Sequence, residues 1–167
     1  MYGLHRFPKL LPTLKPRTMN DYTEKIGDHL NDILEKNIDA QKGFEKAVEN
    51  TQSGNLKSYF RDRSQERSQF VSDLRSELTH YGEKYRESGS AAASLHRGWM
   101  DFKSMFSADD DESMLEEAIR GEEKAIKEYD GALEPGEVPD TTATLLRRQR
   151  ETIQSGLAKL RGMEGMH

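Results

Sequence analysis

The sequence reads as an all-α protein, with four long helices paired into two antiparallel hairpins that close into one bundle. Three observations carry that reading. Apolar residues recur at three- and four-residue spacing through four separate stretches. Short breaks rich in Ser, Gly, Pro and Asn divide the first stretch from the second and the third from the fourth. Ala, Glu, Lys, Leu and Arg make up 70 of the 167 residues, the balance of long solvated helices rather than of sheets.

The first stretch runs from Asp21 to about Gln52 and carries Ile26, Leu30, Ile33, Leu34, Ile38, Phe44, Ala47 and Val48 on one stripe. Ser53, Gly54 and Asn55 break it and supply a cap. The second stretch repeats the pattern through Leu56, Tyr59, Phe60, Phe70, Leu74, Leu78 and Tyr81 until Gly82. Residues about 82–109 are too long for an ordinary turn. They are read as a crossover with a short helix of its own, its stripe being Leu95, Trp99, Phe102 and Phe106. Trp99 is the expected anchor of that crossover on the bundle. Asp109, Asp110 and Asp111 open the third helix, where its amino end favours negative charge. This helix continues through Met114, Leu115, Ala118, Ile119, Ala125, Ile126, Tyr129 and Leu133. The cluster from Glu134 to Asp140 turns the chain and ends on a capping residue, and the fourth helix follows through Leu145, Leu146, Ile153, Leu157 and Leu160.

Composition removes several function classes. There is no cysteine, so a disulfide framework, a thiolate metal site and a cysteine nucleophile are excluded. No run of apolar residues approaches the length of a membrane span. Residues 1–18 form a basic arm punctuated by Pro8, Pro12 and Pro16, without the apolar core of a secretory signal, and the expected location is the cytoplasm. The net charge of −5 combines this +4 arm with a −9 bundle over residues 19–167, which argues against nucleic acid as the main partner.

Two hairpins joined by one long crossover is the connectivity of ferritin-like bundles. The stretches Leu30 to Asn37, Gly43 to Ala47, His96 to Asp101, and Gly121 to Glu123 with Tyr129 to Leu133 carry a more local likeness. In them the chain resembles a bacterial four-helix-bundle family of unknown function placed in the ferritin-like superfamily, over about residues 22–162. The resemblance implies fold and a stress-related kinship, but no defined activity. The isolated Gly121 inside the third helix hints at close packing there.

Metal-binding ferritin relatives place a Glu on each of two helices and Glu-x-x-His on each of the other two. Here Gln69 follows Glu66 and Gln154 follows Glu151 at the histidine positions. Helix wheels nevertheless bring Gln41, Glu66, Glu122 and Gln149 toward the core as one polar layer, with Glu45 one turn from Gln41. A cation held by Glu45, Glu66 and Glu122, iron or manganese, would make the chain an oxidoreductase with a reduced ligand set. The competing expectation is that these residues bond one another and to Tyr59, Tyr129 or Arg63, fixing helix register. Two nearby carboxylates without a metal must share a proton or recruit an arginine. The reading carried forward is a non-enzymatic structural or interaction bundle that forms a homo-oligomer and needs no cofactor.

Overall fold

The computed structural model describes residues 18–86 and 110–164. Among them are four helices and no strand: α1 Met19–Asn50, α2 Gly54–His80, α3 Asp111–Ala132 and α4 Asp140–Met163. Arm residues 1–17, the proposed crossover helix and its anchor Trp99 lie outside the described residues.

The ends of the helices follow from local chemistry. Thr18 and Asp21 form a reciprocal capping box at the start of α1, with bonds of 3.1 and 3.2 Å. Ser53 Oγ accepts from Leu56 N at the start of α2. α2 stops because Gly82 takes φ +71°, the left-handed conformation that costs glycine least. Gly82 N and Glu83 N then bond back to the carbonyls of Thr79 and Leu78. Asp110 Oδ1 accepts from Ser113 N at 2.6 Å, and this bond holds the Asp110 carboxyl below the usual carboxylate range. The expected cap of α4 is corrected: Asp140 is its first helical residue, and Pro139 at the cap position makes no side-chain bond.

Cross-helix pairs give the topology. Asn37 with Arg67 and Glu45 with Ser64 run in opposite order along α1 and α2, and Asn31 with Lys84 continues that order just past the end of α2. Asp130 with Arg150 and Glu123 with Arg161 do the same for α3 and α4. Lys36 meets Glu128 while Thr51 meets Asp111, so α3 is also antiparallel to α1. α2 and α3 therefore run in the same direction, and residues 81–110 join opposite ends of the bundle. Packing is denser within each hairpin than between hairpins.

The core forms two apolar clusters. One gathers apolar residues between Ile26 and Leu34, Phe70 and Leu78, and Ile126 and Ala132, with Leu146, Ile153 and Leu157 of α4. The other gathers Phe44, Ala47, Leu56, Tyr59, Phe60, Met114, Leu115, Ala118 and Leu160.

Each end of the bundle is tied by a carboxylate. Asp111 accepts from Thr51 Oγ1 at 2.8 Å, Gln52 N at 3.0 Å and Ser53 N at 2.7 Å, so the first residue of α3 closes the turn of the other hairpin. At the opposite end Glu137, in the α3–α4 turn, lies 3.1 Å from Lys25 Nζ and 2.6 Å from His29 Nε2. The bond from Lys25, with His29 alongside, holds Glu137 below the usual carboxylate range. Replacing Asp111 by Ala removes all three hydrogen bonds to a charged acceptor and is expected to cost about 2 kcal/mol in urea denaturation.

Candidate functional site

Each helix interrupts its apolar stripe with a polar side chain, and four of these meet inside the bundle. They are Asn37 on α1, Arg67 on α2, Glu122 on α3 and Gln149 on α4, all buried. Arg67 Nη2 donates to Glu122 Oε2, and Arg67 Nη1 donates to Asn37 Oδ1 at 3.1 Å. Asn37 Nδ2 donates to the Ile33 carbonyl and to Tyr129 Oη, at 2.8 and 2.9 Å. Tyr129 Oη passes its own proton donor to Gln149 Oε1 at 2.8 Å. One chain of hydrogen bonds thus crosses all four helices. The guanidinium of Arg67 also lies over the rings of Phe44 and Phe70, at 5.9 and 5.7 Å from their centroids.

A second arginine extends the layer along α2. Arg63 Nη1 lies 3.1 Å from Glu66 Oε2, one turn away on the same helix. Arg63 reaches α4 where Gly156 leaves room, since a Cβ there would stand 2.3 Å from Arg63 Nη1. Burial pushes the Glu66 carboxyl up, and Arg63 and Arg67 pull it back in part. Burial likewise raises the Tyr59 and Tyr129 hydroxyls above the usual phenol range, with the carboxylate of Glu122 adding to both. Among the described residues, Glu122 Oε1, Arg67 Nε, Tyr59 Oη and Gln149 Nε2 have no hydrogen-bond partner.

The expected layer is brought together only in part. Glu122 and Gln149 belong to it, joined through Tyr129, Asn37 and Arg67. Glu66 is mostly buried beside it and paired with Arg63. Gln41 and Glu45 stand on the flank of α1. Gln41 Nε2 donates to Glu45 Oε1 at 3.1 Å, and Glu45 is exposed with Ser64 as its neighbour on α2. Asn37 and Arg67 are the residues that sequence reasoning missed. Both occupy apolar-stripe positions: Asn37 falls between Ile33 and Phe44, Arg67 between Phe60 and Phe70. That position was the available signal.

Among the described residues no three Asp, Glu or His side chains gather in a group that would hold a metal ion. The donor chemistry explains why. A divalent cation needs the negative oxygens of Glu66 and Glu122 free to converge, and each already faces a guanidinium. Of the two outcomes open to paired carboxylates, recruitment of arginine is the one seen.

Removing one member of the Arg67–Glu122 pair leaves the other charge buried, so Arg67→Met alone or Glu122→Leu alone should cost about 3–5 kcal/mol. The double variant should recover most of that loss, and chemical denaturation of the three proteins checks it. A second expectation concerns Asp39, half-buried on α1, whose carboxyl burial raises from 3.8 to about 6, with Lys42 opposing and Glu35 adding. The folded state then binds the proton more tightly than the unfolded chain. Stability from this group is complete below pH 3.8 and is lost as pH rises through about 6. Asp39→Asn should raise the melting temperature at pH 7 and flatten its decline between pH 4 and 6.

No curated protein matches the chain. No helix among the described residues is long and apolar enough to cross a membrane. A match to a family of domains of unknown function runs over residues 25–135, from the first turns of α1 to the turn after α3, and takes in Asn37, Arg67, Glu122 and Tyr129. The chain therefore belongs to that family, DUF2383.

Proposed function

We propose that this protein is a non-enzymatic, ferritin-like helical scaffold, a cytoplasmic structural or interaction protein that self-associates, with a stress-related role by kinship. The carrying observation is Arg67. It lies between Asn37 and Glu122 in the bundle interior, the region where metal-binding ferritin relatives gather inward-facing carboxylates. A fixed cation there gives the interior charge balance and helix register without a metal. The ferritin-like attribution is supported by parallel α2 and α3 joined across the length of the bundle. Self-association is supported by Met19, 80% exposed, and by exposed Tyr22 one turn further along α1, which follow the apolar and basic arm in the sequence.

The competing function is an iron or manganese oxidoreductase using Glu45, Glu66 and Glu122, with Gln41 and Gln149 as secondary contacts. It would require both arginines to swing away from their carboxylates. Metal analysis after incubation with ferrous and manganous ions separates the two. The scaffold reading expects a stoichiometry near zero that Glu66→Gln leaves unchanged, whereas about two ions per chain with peroxide consumption would overturn it. Light scattering should give a mass above the 19.1 kDa of one chain at micromolar concentration. A single-chain mass would remove self-association from the proposal.

A further inference from the structure

Between α1 and α3, where the hairpins meet loosely, a cleft of about 500 Å³ opens, within the range that accommodates small ligands. Its walls are apolar: Ile33, Ala40 and Phe44 on one side, Ala118 and Ala125 on the other. Small residues on α3 make the space. Gly121 lines the cleft, and a Cβ built there would meet nothing within 4 Å. The close packing expected at Gly121 is therefore absent. A glycine inside a helix is less favourable than alanine, and here no neighbour demands it. What the missing side chain leaves is access to the cleft.

The floor is polar and buried. Arg67, Glu122, Asn37 and Tyr129 all line it. Asn37 and Tyr129 are engaged in the hydrogen-bond chain, whereas Glu122 Oε1 and Arg67 Nε have no partner among the described residues. Both atoms have almost no solvent-accessible surface, so they are one unused acceptor and one unused donor just beneath the cleft surface, reached by a head group once the side chains over them give way. The rim balances its charge. Lys36 pairs with Glu128 at 3.3 Å, Arg120 pairs with Glu117, and Asp39 and Lys124 complete three acids against three bases.

We infer that this cleft binds a small uncharged molecule with an apolar body and a head that both donates and accepts a hydrogen bond, a primary amide or an alcohol. The apolar body rests on Phe44 and the alanines while the head turns to Glu122 and Arg67. A charged head is excluded because the floor and rim are already neutral as a set, and a buried unpaired charge is unfavourable. This site is independent of the scaffold reading and of any metal.

The test uses hexanamide on the full chain, followed by calorimetric titration, with hexanoate and hexylammonium as charged counterparts. Binding on the order of 1 mM is expected for a ligand of this size, and at least tenfold weaker binding for both charged probes. Gly121→Leu should weaken hexanamide at least tenfold while melting no lower than the parent, since it fills open space. Ala125→Leu, which plugs the same wall, should give the same loss. Absence of hexanamide binding at roughly ten times the expected constant overturns the site. Equal affinity in both plugged variants, or equal affinity for the charged probes, overturns it as well.

Discussion

The buried pair of Arg67 and Glu122 is the constraint on which the rest of the bundle depends. Taking two charges out of water costs several kcal/mol per ion, and only good geometry offsets it. The pair therefore penalises every other arrangement of the helices that carry it. A slip of α2 against α3 by one turn, about 5.4 Å, would carry the Arg67 guanidinium away from Glu122 and leave both charges buried without their partner. Asn37, Tyr129 and Gln149 carry the same requirement outward to α1 and α4. Apolar stripes alone are indifferent to such slips, because Leu packs nearly as well one turn away.

The two terminal ties work with this central lock. Asp111 holds the start of α3 to the α1–α2 turn, and Glu137 holds the α3–α4 turn to the first turns of α1. Neither relies on burial of a full charge. Between these ties the α1–α3 seam carries Lys36 with Glu128 and the polar floor, and the two helices pack less closely than the helices within either hairpin. A cleft is what remains when two hairpins are pinned at their ends and locked on their far side.

The four helices were legible from spacing, to within two or three residues at each boundary. The break and cap at Ser53 to Asn55 and the acidic start of α3 at Asp109 to Asp111 were legible too, whereas the same polar signal at Asp140 marked the first helical residue instead of the cap. The interior was harder to read. Arginine usually marks a solvated face, so Arg67 at a stripe position looked like noise between Phe60 and Phe70, although two carboxylates in search of a counter-charge pointed to it. The helix wheel placed Gln41 beside the core, but Asn37, one turn earlier on α1, takes the buried position and Gln41 stays on the flank. Glu122 and Gln149 were found because a lone polar residue on an otherwise apolar stripe is a strong signal. Gly121 shows the limit of residue type as evidence, since an isolated glycine marks equally a tight contact or an open space.

The parallel course of α2 and α3 bears on how the chain reaches this state. Each hairpin closes through a short turn, residues 51–53 in one and 133–139 in the other, so its contacts are local and form at low entropic expense. Arg67 and Glu122 are separated by 55 residues and join one hairpin to the other. Loop-closure entropy therefore favours local closure of each hairpin ahead of the docking step that desolvates the charges. Before docking, both the arginine and the glutamate remain hydrated, and an isolated hairpin carries its future lock as an ordinary solvated side chain.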